Sequence, residues 1–342
     1  MSDRIIIVGI RRGSEKVPIS EIVQMQGRCA RTPGAIGYVD ILVGEDDLEE
    51  LKCGLADIDN LYVNSMMSDS ETLAFHLVAE ISLGRVSTLR EAEEWYKKSF
   101  AHHVRLPVDL SEVMELLVNE WDAVIKRGPL FLPTQFAHLA TRYYYHPADI
   151  FDWKENFIEL FSSGRKNNDV ALSWALSHVC FDKTRYNVYG SWEAIDEYKS
   201  QTASLGLDCT GSVAGGLIWW SILGGPPVGR LRSMVKTVRE DFGRLSKVLM
   251  ELNGICGWNQ QKFFEDLKVR VTYRVTEDLV ELCKIQGINK TLAAELYNFG
   301  VRTLDDVEDK WVQIETYGSS HLVRVLRGLV NGKGPFVWST SG

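Results

Sequence analysis

"EIVQMQGRCARTPGAIGYVDILV", Glu21 to Val43, is the stretch from which the N-terminal fold is read. "IIIVGI" (Ile5–Ile10) precedes it and "GYVDILV" (Gly37–Val43) closes it. Both are β-branched, of strand length, and bounded by Gly, Pro and charges. "VPISEIVQMQGRCAR" between them reads as a helix. Ser20 is its expected cap, Glu21 lies in its first turn, and Thr32-Pro33-Gly34 stops it. Strand, helix and strand make one α/β unit, too small to fold alone. Within it, Gln24, Gly27, Arg28 and Arg31 have the spacing Q-x-x-G-R-x-x-R. Residues three apart on a helix share a face. Arg28 and Arg31 are therefore expected to form a pair able to stabilise charge on a phosphate held by another domain. Gln24 lies a turn back, and Gly27 permits close approach of backbone. A solvated arginine pair is the plainer alternative.

The 342 residues are 45% hydrophobic and 25% charged, ample for more than one core. A net charge of −8 excludes a uniformly basic nucleic-acid coat but not a local basic stripe. Cys29, Cys53, Cys180, Cys209, Cys256 and Cys283 are far apart, with no C-x-x-C. That usage fits reduced intracellular thiols rather than a zinc site or a disulfide framework. No signal peptide is evident. "SVAGGLIWWSILGG" (Ser212–Gly225) is too short to span a membrane and reads as a buried helix. An intracellular protein, cytoplasmic or nucleoid-associated and without membrane contact, is expected. No metal site is expected, because His102-His103 lack a third ligand.

From about Asp47 the pattern turns helical. "ETLAFHLVAEISLG", "STLREAEEWYKKSF" (capped by Ser87) and "LSEVMELLVNEWDAVI" are amphipathic. "KRGPLFLPTQFAHLATRYYY" reads as strand and tight turn, then a helix opened by Pro133. Helices with a strand-turn-strand hairpin fit a winged-helix module.

"PPVGRLRSMVKTVREDFGRLSKVLMEL" (Pro226–Leu252) reads as a long helix preceded by Pro226 and Pro227. At about 100° per residue, Leu231, Val235, Val238, Phe242, Leu245 and Leu249 form an apolar stripe. Arg232, Lys236, Arg239 and Lys247 form a basic one, with Gly243 inside it. One face in a core and a basic stripe beside it suit a phosphate backbone. A solvated basic face is the alternative. "CKIQGINKTLAAELYNFGVRTLDDV" reads as a helix-hairpin-helix, with Gly287 in the turn, Ile288 anchoring it and Thr303 capping the next helix. Backbone N–H groups of such a turn can hold a phosphate, with Lys284 and Lys290 adding charge. A protein-binding hairpin is the alternative. Tyr143-Tyr144-Tyr145 and Trp219-Trp220 can stack on bases, but core filling accounts for most such rings.

No G-x-x-x-x-G-K-[ST] occurs, and "DEYK" (Asp196–Lys199) lacks the preceding apolar strand of a magnesium-binding acid. Hydrolysis needs both devices. The isolated chain is expected not to hydrolyse ATP.

In this order the segments resemble the C-terminal part of superfamily 2 DNA helicases of the HelQ type, over nearly the whole chain. "PISEIVQMQGRCARTPGAIGYVDILV" resembles the last conserved motif of that family, and "LFLPTQFAHLATRYYYHP" its winged-helix region. "GLIWWSILGGPPVGRLRSMVKTV" resembles its ratchet-helix region, and "LVELCKIQGINKTLAAELYNFGVRTLDDV" its closing helix-hairpin-helix. The resemblance implies a mainly α, multidomain fold. Residues 1–48 would be a small α/β remnant of the second RecA-like domain, and 49–152 a linker and winged helix. Residues 153–275 would be a helical ratchet domain, and 276–342 a helix-hairpin-helix domain.

It also implies a 3′→5′ translocase. Gln24 and Gly27 would bind nucleotide, and Arg28 and Arg31 would be arginine fingers. Arg232, Lys236, Arg239 and Lys247 would touch DNA, with Lys284, Gly287 and Lys290 at phosphates. ATP and Mg2+ would enter only where a partner chain supplies the phosphate loop. Two positions depart from the family. The aromatic usual near the middle of the ratchet helix is Glu240 here, with Phe242 on the core stripe. The hairpin's second glycine is Asn289, which tolerates the left-handed conformation. The expectation is the C-terminal piece of a split helicase on single-stranded or forked DNA. A separate chain would dock on the strands near Ile5–Ile10 and Ile36–Val43. The alternative is a non-enzymatic nucleic-acid-binding scaffold or regulator.

Overall fold

The two β-branched runs near the N-terminus pair side by side. β1 (Arg4–Val8) is followed by a small hairpin, β2 (Arg11–Arg12) and β3 (Glu15–Lys16), then α1 (Ile19–Gln26), β4 (Tyr38–Leu42) and α2 (Glu45–Ala56). β1 and β4 are parallel, with Ile5 opposite Val39 and Ile7 opposite Ile41. The computed structural model describes residues 4–12, 15–30, 34–58, 65–105, 108–177, 192–207, 213–226 and 232–332. Residue contacts divide the chain into two units, Met1–Asp69 with Tyr96–Val108, and Ser70–Trp95 with Asp109–Gly342.

In the first unit, Ile10, Ile22 and Leu51 are buried, with Ile7 and Ile41 of the sheet packed on them. Gly54 brings α2 close to α1, for a Cβ there would lie 2.7 Å from Ile19 Cδ1. All this packing is on one face of the sheet. Ile6, Val8, Tyr38 and Leu42 lie on the other and are 57–78% exposed. The ends of α1 differ from expectation. Ser20 lies inside the first turn, and Pro18 occupies the cap position without a side-chain bond. The helix stops at Gln26, since Gly27, a poor helix former, closes it, and the chain turns through Arg28 and Cys29 to Ala30 at φ 48°. Arg28 is therefore not on the helix. Arg31, Thr32 and Pro33 lie outside the described residues.

The second unit begins with α3 (Ser70–Ser82) and α4 (Leu89–Tyr96), whose last residue falls in the first unit along with α5 (Phe100–His103). Thr88 caps α4, not Ser87: Thr88 Oγ1 accepts from the Glu91 amide at 3.2 Å. Glu91 returns to the Ser87 and Thr88 amides at 2.7 and 3.1 Å. The reciprocal box needs its carboxylate three residues after the cap, and only Thr88 meets that spacing. α6 (Leu110–Glu115), one π turn and the antiparallel hairpin of β5 (Val124–Arg127) and β6 (Leu130–Pro133) follow. Pro133 ends β6, and Thr134 caps α7 (Gln135–Tyr143) through its hydroxyl.

Then come α8 (Pro147–Ser162), α9 (Asp169–Ala175), α10 (Trp192–Ser204), α11 (Val213–Leu223), α12 (Arg232–Ile255) and α13 (Gln261–Tyr273). They enclose an extensive core, with Trp153, Phe157 and Trp219 fully buried. α11 is the buried helix expected from its apolar run. A second core, of Leu282, Ile288, Leu296, Val301, Ile314 and Leu326, joins α14 (Val280–Cys283), α15 (Lys290–Asn298), α16 (Asp306–Tyr317) and α17 (Ser320–Gly332). Among the described residues the chain is thus mainly helical, with three two-stranded sheets.

Asp47 ties the first unit's hairpin to α2. Arg11 Nε and Nη2 donate to its two oxygens at 2.9 and 2.6 Å, and Lys16 lies 3.4 Å away. The Arg11 hydrogen bonds lower the Asp47 pKa to about 2. A depressed folded-state pKa means that the contribution is complete above the unfolded value of about 4. It is lost as pH falls towards 2. Protection of the β2, β3 and α2 amides, taken relative to the intrinsic exchange rate at each pH, is expected to fall across that window. Asp47→Asn should remove the dependence.

Candidate nucleotide and nucleic-acid interfaces

α12 is where the sequence reading meets the structure most closely. Val235, Val238, Phe242, Leu245 and Leu249 are buried, as the apolar stripe requires, Leu231 lies outside the described residues, and Phe242 packs on Trp219 with ring centres 5.6 Å apart. The basic stripe divides. Lys236 and Lys247 are exposed. Lys236 lies 3.7 Å from Glu240, one turn on, in an open pair with both side chains more than 60% exposed. Such a pair holds its lysine weakly. Lys247 makes no ion pair among the described residues. Gly243 lies between them, exposed, with nothing within 4 Å of where a Cβ would be. These positions share one column of the helix.

Arg239 turns away from that column. Its Nε and Nη2 donate to the carbonyls of Val271 and Thr272 at 3.3 and 3.0 Å, the last turn of α13. A cation there satisfies carbonyls that have no partner within their own helix and complements the helix dipole. The side chain of Arg232 lies outside the described residues. Arg244 and Arg270, which the sequence reading passed over, are also fixed internally. Arg244 bonds Asp241 and the Tyr143 carbonyl, and its guanidinium covers the Tyr145 ring at 4.1 Å. Arg270 is 4% exposed and reaches Asp169 at 2.7 Å and the Leu223 carbonyl at 3.3 Å. The available signal was its place beside Leu267 and Val271 on the apolar side of α13.

The hairpin between α14 and α15 has its turn where expected. Gly287 is left-handed at φ 86°, with Ile288 buried beside it. Asn289 is extended at φ −97°, not left-handed, because its side chain caps α15 through the Leu292 amide. Thr303 does not cap α16. Instead Asp306 accepts the Arg302 and Thr303 amides, each at 2.8 Å, and those bonds lower its pKa. Both hairpin lysines have partners. Lys290 donates to the Arg274 carbonyl at 2.8 Å, and Lys284 lies 2.5 Å from Asp266 and 2.9 Å from Glu281. Burial would lower the Lys284 pKa, but those carboxylates outweigh it and raise the value. The cleft beside them, lined by Lys166, Lys262, Arg270, Asp266, Glu277 and Glu281, balances three cations against three acids and has no bias towards an anion.

In the first unit, Gln24, Gly27 and Arg28 are all exposed. Arg28 makes no ion pair among the described residues. Gly27 adopts φ −62°, and an added Cβ would meet nothing closer than 3.6 Å. Neither backbone conformation nor packing demands glycine there. Gly37 is different: a Cβ would lie 2.5 Å from Cys29 Sγ, so the loop carrying Arg28 rests on the start of β4. His102 and His103 lie against Tyr96 and Phe100. No group of three potential metal ligands occurs among the described residues. Trp219, Trp220 and Tyr145 are buried and Tyr143 is partly so, which leaves Tyr144 as the exposed ring of those runs. No described helix is long and apolar enough to cross a membrane.

A mainly helical chain with a small α/β head and a long one-sided helix is the class of arrangement that the HelQ-type motifs implied. No protein-family model matches the chain. Its similarity is to ATP-dependent DNA helicases named Hel308. The protein from Methanocaldococcus jannaschii is 24% identical over 319 residues, 86% of this chain and 25% of that protein. The Pyrobaculum calidifontis protein is 25% identical over 86% of this chain and 44% of its own length. The Methanocella arvoryzae protein is 21% identical over 89% and 45%. The chain therefore resembles Hel308 helicases along most of itself, while spanning between a quarter and just under half of these relatives.

The internal partners separate structural cations from surface ones. Arg270→Ala should cost about 3 kcal/mol by removing a buried guanidinium and its bonds to the half-buried Asp169 and to the Leu223 carbonyl. Arg239→Ala should cost about 1 kcal/mol through two lost hydrogen bonds, and Lys247→Ala less than about 0.5 kcal/mol. Urea unfolding of the full chain measures all three.

Proposed function

We propose that this chain is the strand-holding and arginine-supplying part of a 3′→5′ superfamily 2 helicase. It binds single-stranded or forked DNA and completes an ATP site whose phosphate loop lies outside this sequence. The first unit is then a remnant of a RecA-like domain, and α3, α6 and α7 with the β5–β6 hairpin form a winged helix. α8–α13 are the ratchet domain, with α12 as the stepping helix, and α14–α17 are the helix-hairpin-helix region.

The observation that carries this reading is the first unit's open half. Parallel sheets are ordinarily covered on both faces, yet this one leaves Ile6, Val8, Tyr38 and Leu42 in solvent on the face opposite α1 and α2. Arg28, in the loop that follows α1, is exposed and makes no ion pair among the described residues. A partner of RecA type would cover the open face, which also carries the Arg4–Asp40 ion pair, and bring ATP and Mg2+. Gly27, whose glycine its own fold does not require, would admit the nucleotide closely. Arg28 and Arg31 would then set positive charge against the terminal phosphate. In the second unit, Lys236 and Lys247 would meet the strand's phosphates, with Gly243 leaving room for its backbone. The Hel308 resemblance supports both halves.

The chain alone should hydrolyse no ATP. With a partner bearing the phosphate loop it should turn over ATP, and Arg28→Ala should slow that roughly a thousandfold. ATPase activity of the purified chain on its own would contradict the proposal. Strand binding should weaken with salt. Lys236→Ala and Lys247→Ala should each reduce the slope of log affinity against log salt by about 0.7. Lys284→Ala, whose ammonium already has two carboxylates, should leave that slope unchanged. Anisotropy titrations at several salt concentrations measure these slopes.

A further inference from the structure

α12 has no aromatic side chain on its open column. Its exposed described positions are Lys236, Thr237, Glu240, Gly243, Lys247 and Gly254, while Phe242 is buried on Trp219. Proteins that hold single strands combine phosphate contacts with rings on which bases stack. Here a ring would come from a neighbouring element, and the Tyr144 carbonyl accepts from Arg244, the residue next to Gly243 of the column. It follows α7 directly, is 68% exposed, and takes a left-handed conformation at φ 56°. Helix ends of that kind usually carry glycine or asparagine, and a tyrosine there bears backbone strain.

α12 sustains that conformation. Arg244 Nη1 donates to the carbonyls of Tyr143 and Tyr144 at 3.1 and 3.4 Å. Asp241 accepts from Arg244 and, at 2.7 Å, from the Tyr145 hydroxyl. The neighbouring rings thus turn inward, Tyr143 to Glu251 at 2.6 Å and Tyr145 to Asp241, while Tyr144 is displayed. Arg244 is next to Gly243 and three residues before Lys247, so the anchor lies within one turn of the open column. Phe75 meets the Tyr144 ring edge to face at 4.9 Å and steadies it.

We infer that Tyr144 is a base-stacking residue for a single strand lying on α12, supplying from α7 the ring that α12 itself lacks. The inference rests on the strand-binding reading above, and it adds a contact to bases where that reading has contacts to phosphates.

The test uses the full chain and two fluorescein-labelled probes of equal length, oligothymidylate and an oligomer of abasic residues, which carry the same phosphates. Anisotropy should show the wild type binding oligothymidylate roughly tenfold more tightly than the abasic probe. Tyr144→Phe should keep that ratio. Tyr144→Leu, and Tyr144→Asn as a variant suited to the left-handed backbone, should lower the ratio severalfold and leave abasic binding unchanged. If both variants fold and retain the wild-type ratio, Tyr144 does not stack, and the inference is overturned while strand binding stands. If the wild type binds neither probe, the strand-binding reading itself falls.

Discussion

The burial of one side of α12 is the constraint on which the second unit depends. A helix of 24 residues is about 36 Å long. Val235, Val238, Phe242, Leu245, Leu249 and Leu252 remove one of its faces from water along about 26 Å of that length. Two flanks are then held by polar contacts: Arg244 and Asp241 grip the end of α7, and Arg239 grips the end of α13. A helix fixed on three sides cannot roll. Its fourth side, the column from Lys236 to Lys247, is therefore presented in one orientation, and any strand along it would meet a rigid floor rather than a mobile arm.

That arrangement redistributes charge. A basic helix in a chain of net charge −8 looks like a uniform contact surface. In the folded chain only part of it is open. Arg239 and Arg244 hold neighbouring helices in place, and Lys284 and Lys290 do similar work around the last hairpin. Cations with internal partners shape the surface, and those without are left to act on it. The first unit shows the same division, with Arg11 on Asp47 and Arg28 in solvent.

What the sequence made legible follows from the range of the forces involved. The α12 stripe was readable because burial imposes a period of 3.6 over many residues. The β1 and β4 strands were readable from runs of β-branched residues. Caps were misplaced by one or two residues at Ser20 and Ser87, because Pro18 needs no amide and Thr88 has the glutamate at the right distance. Arg28 leaves the helix because Gly27 ends it, a local cue that the Q-x-x-G-R-x-x-R spacing overrode. The internal fate of Arg239 was not legible, since its acceptors, the Val271 and Thr272 carbonyls, are more than thirty residues away. Lys284 and Asp266 meet across a helix junction in the same way. The exposure of Tyr144 between two inward-turned tyrosines depends on a backbone conformation that no periodicity encodes.

The account stands or falls on where a strand touches the second unit. Photo-crosslinking of the full chain to an oligonucleotide carrying 4-thiothymidine, with adducts mapped by peptide mass spectrometry, locates that contact directly. The account requires adducts within residues 236–247 and next to the end of α7. Adducts confined to α16 and α17, with none on α12, would contradict it.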